Sequence, residues 1–459
     1  MEAKELAKDL KAPRLFGTNG IRGLAGKEID FALAFRVGSA FATLFPRYKM
    51  LVGMDGRISS PVLLQGVAAG LLARGNDVED LGLITTPASE YLVKNTSSSA
   101  GVMITASHNP PEYNGFKVVD SDGIEINRSK EEKMELLIHR DKWRASRQPG
   151  QRVRKEDGIK SYLEKVETHV LPRDEIRDLK IVIDTGNGVA ELTTPRLLRK
   201  LGAHVIGIND AIDGKFPGRN SEPRPENLGA LSRIVREEKA DLGIAHDGDG
   251  DRAIFVDEKG IVQPGDRTLA LIEDELLRDH PGARVVTPIN TSMVVSEIAS
   301  KRKGKLMLTK VGSIEVSRTV AKVGALLGGE ENGGIFYAPH HPVRDGTIAA
   351  VLIVNTMIKN GRSLSKLLDG LPKFYMVKEK IPCKEGAKNR AIKALKARLK
   401  GRISSNLDGV RVDLDGRGWV LIRASGTEPL LRIYVEAKTE SQVQEILDEF
   451  RPLVLKAVT

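Results

Sequence analysis

The sequence has almost no cysteine, few aromatic residues and no long apolar run. Cys383 is the one cysteine among 459 residues, which excludes an intramolecular disulfide and a cysteine-rich zinc site. The apolar stretch at 348–357, IAAVLIVNTM, is shorter than the roughly 18 residues that a membrane-spanning helix needs. The N-terminus also lacks the apolar core of a secretory signal. We therefore expect a cytoplasmic protein that has no membrane partner.

The charge balance is basic, with 71 Lys and Arg against 61 Asp and Glu and a net charge of +10. Such a surplus can indicate nucleic-acid binding, but aromatic residues make up only 4% of the chain, and the positive charge is not gathered in one patch. The short basic runs at 301–305 and 393–402 are typical of solvated helix faces and loops. We expect no nucleic-acid partner and assign part of the surplus to pockets for small phosphorylated anions.

Short β-rich runs alternate with helical segments along most of the chain. Strands predicted at 50–54, 78–83 and 101–105 have helices between them, which is the order of a mainly parallel sheet covered by helices. The pattern restarts near residue 179 and again near residue 283. In the last part, three strands between 409 and 437 follow one another without helices, and a helix is predicted at about 440–455. This change of pattern indicates a unit of antiparallel strands.

The predicted fold is therefore α/β, with three similar α/β domains and a C-terminal α+β domain. We place domain I at 1–150, domain II at 151–256, domain III at 257–370 and domain IV at 371–459.

A polar loop rich in turn-forming residues follows the strand predicted at 101–105. It has the sequence TASHNPPEYNGFK at 105–117, and α/β sheets bind ligands at the carboxyl ends of their strands. Ser107 and His108 are candidates for a nucleophile and a base, although adjacency in sequence does not place two side chains in contact. On these two residues alone, a structural role is as well supported as catalysis, because both side chains could simply form hydrogen bonds to the backbone of the turn.

A second loop, HDGDGDR at 246–252, has three carboxylates at alternate positions. The glycines between Asp247, Asp249 and Asp251 let the backbone curl, so that oxygen ligands can converge on one hard cation. The loop is not an EF-hand, because Arg252 leads directly into a strand. An acidic surface turn is the less favoured alternative. An arginine directly after the acids indicates an anion beside the metal.

Four further loops carry groups that suit sugars and phosphates. GGEENGG at 328–334 offers carboxylates and an amide to vicinal hydroxyls, although by itself a plain acidic turn is the more frequent origin of such a run. RASGTEP at 423–429 offers a phosphate guanidinium, hydroxyl and backbone donors, with a charged hairpin turn as the alternative. FGTNGIRG at 16–23 presents Arg22, and TKVGS at 309–313 presents Lys310.

With these loops in this order, the chain resembles the α-D-phosphohexomutase superfamily from residue 15 to about residue 437. The resemblance implies four domains with mixed sheets around a deep central cleft. It implies an isomerase of the intramolecular phosphotransferase class, in which a phosphoserine gives its phosphoryl group to a hexose phosphate. A 1,6-bisphosphate forms, turns around, and returns its opposite phosphate to the serine. The implied cofactors are one Mg²⁺ ion and a hexose 1,6-bisphosphate as activator.

The resemblance also assigns roles to residues, with Ser107 as the phosphoserine and His108 and Lys117 as candidates for general acid and base. The expected catalytic residues are Arg22, Ser107, His108, Lys117 and Arg252. The expected metal ligands are Ser107, Asp247, Asp249 and Asp251. The expected substrate-binding residues are Lys310, Glu330, Asn332, Arg423, Ser425, Gly426, Thr427 and Arg432.

Two loops bear on the identity of the sugar. Many phosphomannomutase/phosphoglucomutase members have GEMSGH where this chain has GEENGG at 329–334, which argues against dual specificity for mannose and glucose. FGTNGIRG and GGEENGG together are more similar to the archaeal phosphoglucosamine mutase branch, which implies conversion of glucosamine 6-phosphate to glucosamine 1-phosphate. The same chemistry on glucose or mannose phosphate is the close alternative.

Two rivals from other classes are less favoured. A non-catalytic sugar-phosphate-binding protein has no need of a phosphorylatable serine, and a serine hydrolase would need a Gly-x-Ser-x-Gly elbow, which is absent around Ser107. The sequence leaves the oligomeric state open, with a homodimer as one option, and it gives Cys383 no role.

Overall fold

Aliphatic runs form the central strands of each domain, and helices with an apolar face cover them. In this computed structural model, the described residues are 14–17, 19–46, 48–98, 100–140, 144–171, 174–426 and 428–458. Over these ranges, no helix combines the length and the apolar character that crossing a membrane requires.

Domain I has a six-stranded mixed sheet. Its strands are β1 (Ile21–Leu24), β2 (Met50–Met54), β3 (Val78–Leu83), β4 (Ala100–Ile104), β5 (Tyr113–Val119) and β6 (Arg152–Arg154), and its helices are α1 (Phe31–Leu44), α2 (Ser60–Ala73), α3 (Thr86–Asn95) and α4 (Arg128–Arg140). The strand order is β1-β5-β4-β2-β3-β6. β6 pairs with β3, so the sheet of domain I extends past the boundary placed at residue 150. Because β2 and β4 are parallel neighbours, the segments that follow them lie side by side at one edge of the sheet.

Domains II and III each have a four-stranded sheet in which three strands are parallel and one edge strand is antiparallel. The elements of domain II are α5 (Gly158–Glu167), β7 (Lys180–Asp184), α6 (Thr194–Lys200), β8 (His204–Ile208), α7 (Gly229–Glu237), β9 (Leu242–His246) and β10 (Ala253–Asp257). The elements of domain III are α8 (Gly265–Asp279), β11 (Arg284–Pro288), α9 (Met293–Lys301), β12 (Lys305–Thr309), α10 (Ser313–Val323), β13 (Leu327–Gly329), β14 (Ile335–Tyr337), α11 (Gly346–Asn360) and α12 (Leu364–Leu368).

Domain IV differs because all of its strand pairs are antiparallel. Its elements are β15 (Tyr375–Pro382), α13 (Lys388–Arg398), β16 (Val410–Leu414), β17 (Gly418–Ala424), β18 (Leu430–Ala437) and α14 (Glu440–Val458). Both helices pack against the sheet through a separate apolar core that includes Leu395, Ile422 and Phe450. The predicted fold class, three α/β domains with mixed sheets and a C-terminal α+β domain, is confirmed.

The apolar run noted at 348–357 is the interior of α11, which is buried along most of its length. Asp345 begins this helix, because its carboxylate accepts hydrogen bonds from the backbone N–H groups of Thr347 and Ile348. The hydroxyl of Tyr162 in α5 also donates to Asp345, at 2.7 Å. These bonds fix the residue before the cap, Arg344, relative to domain II.

Domain IV contacts domain III through a small apolar cluster around Trp419 and Ile289. At the same contact, Glu436 Oε2 accepts hydrogen bonds from the backbone N–H of Met293, at 2.7 Å, and from the Trp419 indole, at 2.8 Å. Met293 is the first residue of α9, so the carboxylate meets the positive end of a helix.

Candidate active site

Ser107 lies just beyond the carboxyl end of β4 and is fully buried. Its hydroxyl donates a hydrogen bond to Asp247 Oδ2 at 2.8 Å and lies 3.3 Å from His108 Nδ1. The backbone of Ser107 has a φ of +50°, a left-handed conformation that a residue other than glycine keeps only when its surroundings hold it. The serine is thus fixed between its own loop and the acidic loop of domain II.

The acidic loop connects β9 to β10 and places Asp247, Asp249 and Asp251 close together. Their ligand oxygens lie within 4.8 Å of one another. Gly248 approaches the Ser107 loop so closely that a Cβ at this position would lie 2.6 Å from the Ser107 carbonyl oxygen. The glycine therefore permits direct contact between the two loops, in addition to the curl that the sequence predicts.

Helix α3 fixes the acidic loop from the side of domain I. The Thr86 hydroxyl donates to Asp249 Oδ2 at 2.6 Å, and the Thr86 backbone N–H donates to the Asp249 carbonyl at 3.0 Å. Thr86 belongs to the first turn of α3, where backbone N–H groups have no partner within the helix. Asp249 supplies that partner, so the helix start orients a side chain of the triad.

The triad can hold a metal ion. Asp249 Oδ1 and Asp251 Oδ1 are buried and have no hydrogen-bond partner among the residues that the structure describes. Burial raises the pKa of Asp247, and the neighbouring carboxylates of Asp251 and Asp249 raise it further. A hard cation would bind the unsatisfied oxygens and offset the repulsion between the carboxylates.

Lys117 in β5 reaches the same loop. Its Nζ donates to Asp249 Oδ2 and to Asp251 Oδ2, each at 2.8 Å. Burial by itself lowers the pKa of Lys117, but the two carboxylates outweigh burial and the net pKa is raised. Lys117 is therefore a positively charged ammonium group near pH 7.

His108 has the opposite character. Burial lowers the pKa of the imidazole well below its usual value, and nearby Arg252, Arg22 and Arg344 lower it further. The imidazole is consequently neutral near pH 7, and one of its ring nitrogens can accept a proton. The site thus combines a protonated Lys117, bonded to Asp249 and Asp251, with a neutral imidazole beside the Ser107 hydroxyl.

Arg22 and Arg252 bring positive charge to the Ser107 loop and the acidic loop. Arg22 Nη1 donates to Asn109 Oδ1 at 2.9 Å. Arg252 Nε lies 3.9 Å from Asp247 Oδ2 and 3.7 Å from Asp251 Oδ1. Guanidinium groups in this position suit a phosphoryl group that lies over the serine.

Arg344 joins the acidic loop to the loop at 328–334, and the sequence motifs do not include it. Its Nη2 donates to Asp251 Oδ2 at 2.6 Å, and its Nη1 lies 3.5 Å from Glu330 Oε2. Glu330 is thereby linked to the acidic triad, whereas Asn332 turns toward its own loop and accepts from the Gly334 backbone N–H at 3.2 Å. A lone arginine before a helix cap carries no sequence signal of this role.

Several of the predicted substrate-binding residues form their hydrogen bonds inside their own domains. Lys310 is exposed after β12. Arg423 Nε donates to Asp408 Oδ2 at 3.0 Å, and Arg432 pairs with Glu428. The structure therefore brings together the residues of domains I and II with Glu330. It leaves Lys310 exposed and pairs the two arginines of domain IV with acidic residues of their own domain.

A buried lysine, Lys388, supports the loop between β17 and β18, and no sequence motif indicates this role. Lys388 Nζ is buried and donates to the carbonyls of Ser425, at 2.7 Å, and Glu428, at 3.0 Å. Gly426 lies between these two positions. Thr427, another predicted binding residue, lies outside the described residues.

Family models for four consecutive domains match the chain. Their descriptions are phosphoglucomutase/phosphomannomutase alpha/beta/alpha domain I at residues 13–145, domain II at 160–260, domain III at 264–375 and the C-terminal domain at 379–453. The chain belongs to the phosphoglucomutase/phosphomannomutase family. The superfamily resemblance drawn from the sequence is confirmed, and so is the enzyme class, because mutases are isomerases.

Curated members of this family match the chain over nearly all of its length. A phosphoglucomutase/phosphomannomutase from Thermococcus kodakarensis is 40% identical over 451 residues, which cover 95% of this chain and 97% of that protein. A phosphoglucosamine/phosphogalactosamine mutase from Sulfurisphaera tokodaii is 39% identical over 451 residues, which cover 96% of this chain and 99% of that protein. The crystal structure of a phosphoglucomutase/phosphomannomutase family protein from Burkholderia thailandensis has a TM-score of 0.88 at 29% identity, with 97% of each chain covered.

Proposed function

We propose that this member of the family is a phosphoglucosamine mutase that interconverts glucosamine 6-phosphate and glucosamine 1-phosphate. The observation that carries the chemistry is the Ser107 hydroxyl 2.8 Å from Asp247, within a buried acidic triad that Lys117 and Arg252 flank. A nucleophile, an oxygen-ligand metal site and fixed cations around one point are what phosphoryl transfer requires.

In the proposed reaction, Ser107 starts as a phosphoserine. A free hydroxyl of the sugar monophosphate attacks the phosphorus, the bond from phosphorus to Ser107 Oγ breaks, and the hydroxyl proton passes to a base, for which neutral His108 is the candidate. The serine oxygen takes up a proton as it leaves, for which Lys117 is the candidate donor, so the products are a 1,6-bisphosphate and a free serine. After the bisphosphate turns around, Ser107 Oγ attacks the opposite phosphate and its proton passes to the base, while the sugar oxygen that leaves takes up a proton from the same candidate donor, Lys117.

The metal proposed for the triad is Mg²⁺, with Asp247, Asp249, Asp251 and Ser107 Oγ as its protein ligands. When bound, it would offset negative charge on the transferring phosphoryl group. Arg22 and Arg252 share this task. A hexose 1,6-bisphosphate is proposed as the activator that restores the phosphoserine after it is lost.

The remaining residues are proposed to hold the sugar and the phosphate that is not reacting. The proposed set is Lys310, Glu330, Asn332, Arg423, Ser425, Gly426, Thr427 and Arg432. The link from Glu330 through Arg344 to Asp251 supports a sugar position next to the triad.

The preference for glucosamine is supported by FGTNGIRG at 16–23 and GGEENGG at 328–334, and by the Sulfurisphaera tokodaii relative. The Thermococcus kodakarensis relative favours glucose or mannose phosphate as the second candidate. Coupled assays on the 6- and 1-phosphates of the three sugars distinguish the two, and we expect the highest kcat/KM with glucosamine phosphate. Slower turnover of glucosamine 6-phosphate than of glucose 1-phosphate would exclude the preference.

The phosphoserine has its own test. The intact mass of the protein after incubation with glucose 1,6-bisphosphate should show one added phosphate that maps to Ser107, and Ser107→Ala should lose both the phosphate and turnover. Ser39→Ala is a matched control, because Ser39 is buried in α1 and its hydroxyl has no partner among the described side chains. Substantial mutase activity in Ser107→Ala would refute the mechanism.

The proposed compartment is the cytoplasm. Its support is the lone cysteine, Cys383, which is free and buried; this pattern suits a reducing environment.

A further inference from the structure

Arg57 is among the most deeply buried charged residues of domain I, and the proposed reaction gives it no task. It is 1% exposed and follows β2 in the sequence Asp55-Gly56-Arg57. Since β2 and β4 are parallel neighbours, with Met54 opposite Ile104, this segment lies directly beside the loop that carries Ser107.

The Ser107 loop wraps around the guanidinium of Arg57. Nη2 donates to the carbonyl oxygens of Ser107, at 2.9 Å, and Asn109, at 2.6 Å. Nη1 donates to the carbonyl oxygens of Pro110, at 2.6 Å, and Tyr113, at 2.9 Å. All of these acceptors are backbone atoms, so the guanidinium determines the course of the loop whatever its side chains are.

The backbone N–H of Ser107 is linked through Thr105 to Asp55, the carboxylate that pairs with Arg57. It donates to Thr105 Oγ1 at 2.8 Å, and the Thr105 hydroxyl in turn donates to Asp55 Oδ2 at 2.7 Å. Asp55 Oδ2 also accepts from Arg57 Nε at 3.0 Å. Both polar backbone groups of Ser107 are therefore bound to the buried ion pair of Arg57 and Asp55. The carbonyl bonds Arg57 directly, and the N–H reaches Asp55 through the hydroxyl of Thr105.

This ring of hydrogen bonds explains how Ser107 keeps its left-handed backbone. A φ of +50° costs a residue other than glycine about 1–3 kcal/mol, and the direction of the Cα–Cβ bond depends on this backbone conformation. Holding the N–H and the carbonyl fixes this bond and so fixes the direction of the hydroxyl.

Domain II closes the other side of Arg57. The ring of Phe216 lies under the guanidinium, with 5.0 Å between Arg57 Cζ and the ring centroid. Ser221 Oγ donates to the Asn109 carbonyl at 3.0 Å. The ion pair thus sits at the contact between the domain that carries the serine and the domain that carries the acidic triad.

We propose that Arg57, together with Asp55 and Thr105, is the positioning element that aims Ser107 Oγ at the acidic triad for phosphoryl transfer. The inference rests on the proposed phosphoserine mechanism. Arg57 acts through the backbone of the Ser107 loop, so it is a positioning residue and not a catalytic one.

The test uses Arg57→Lys and Thr105→Val in the full chain. A lysine keeps the charge but has a single nitrogen, which cannot bond four carbonyls in one plane. Valine keeps the shape of threonine and removes the link from the Ser107 N–H to Asp55. A misplacement of about 1 Å costs about 100-fold in rate, so we expect kcat to fall about 100-fold in each variant while KM for the hexose phosphate stays within about threefold.

Two controls separate positioning from stability. Thr105→Ser restores the hydroxyl and should return kcat to within about threefold of the wild type. Thr287→Val makes the same chemical change at a buried threonine of β11 whose hydroxyl has no partner in the part of the chain that the structure describes, and its kcat should not change.

The outcomes distinguish the two proposals. If Thr105→Val folds and keeps wild-type kcat, or if KM changes as much as kcat, the positioning role is wrong even when the wild type carries phosphate on Ser107. If Arg57→Lys fails to fold, Thr105→Val and its serine control still decide. If the wild-type protein takes no phosphate at Ser107, the proposed function itself fails, and the inference fails with it.

Discussion

The contact between Gly248 and Ser107 allows the geometry of the site to be tested with one methyl group. In Gly248→Ala the new Cβ would lie 2.6 Å from the Ser107 carbonyl oxygen, whereas ordinary contacts begin at 3.4 Å. The two loops must therefore separate by about 3.4 − 2.6 = 0.8 Å. The backbone of residue 248 does not have a positive φ, so an alanine is strained only by this contact.

A separation of that size would stretch the 2.8 Å hydrogen bond from Ser107 Oγ to Asp247 beyond the normal range. Misplacement by about 1 Å corresponds to a loss of about 100-fold in rate, or about 2.7 kcal/mol of barrier. We expect Gly248→Ala to lower kcat by roughly this factor. The assay is steady-state turnover with a coupled enzyme, together with the fraction of protein that bisphosphate phosphorylates.

A matched glycine provides the control. Gly229 begins α7, has no positive φ, and has nothing within 4 Å of the position of an added Cβ. Gly229→Ala should therefore keep wild-type kcat. If Gly248→Ala is folded and turns over within about threefold of the wild type, the two loops do not meet as described and the reasoning is refuted.

Three further predictions concern pH, phosphate binding and metal. Burial, and then Asp274, raises the pKa of Glu273 from 4.5 to about 9, so the folded state keeps a proton that the unfolded state releases. The free energy of unfolding of the wild type should fall as pH rises from about 4.5 to 9. Relative to the wild type, the free energy of unfolding of Glu273→Gln should therefore rise by about 1.4 kcal/mol per pH unit. Urea unfolding of both proteins between about pH 5 and 8 measures this difference, and parallel plots of unfolding free energy against pH would contradict it. Lys388→Met removes the side-chain donor to the Ser425 and Glu428 carbonyls, at a cost of about 1–3 kcal/mol, and should raise KM about tenfold at nearly constant kcat. An unchanged KM would exclude a role in phosphate binding. EDTA should abolish turnover and added Mg²⁺ should restore it, whereas metal-independent turnover would remove the proposed role of Asp247.

The sequence predicts secondary structure well where burial and local preference agree. β17 is the second of the three strands predicted between 409 and 437, and its buried aliphatic run is flanked by turn signals. β15 is not predicted, since most of its residues are exposed or half-buried and charged residues interrupt the pattern. The helix expected between the strands at 50–54 and 78–83 starts at Ser60, because Pro61 is compatible with the first turn of a helix.

Residue types at the site are predictable, but most contacts between them are not. The motif at 246–252 identifies an acidic triad that can hold a metal ion, because three carboxylates on one short loop must lie close together. No local pattern shows that Lys117 bonds two of these carboxylates, since it lies 132 and 134 residues away from them. Arg57 and Arg344 were missed for a related reason, because each acts through a neighbouring strand or loop.

The separation between Lys117 and Asp251 has a consequence for how the chain is made. Domain I is complete well before domain II leaves the ribosome, and at about 5–20 residues per second the 134 intervening residues take roughly 7–27 s to add. During that interval the ammonium of Lys117 has neither of its carboxylate partners, and burying it alone would be costly. We therefore expect this edge of the first sheet to stay hydrated in the nascent chain until the acidic loop of domain II reaches it.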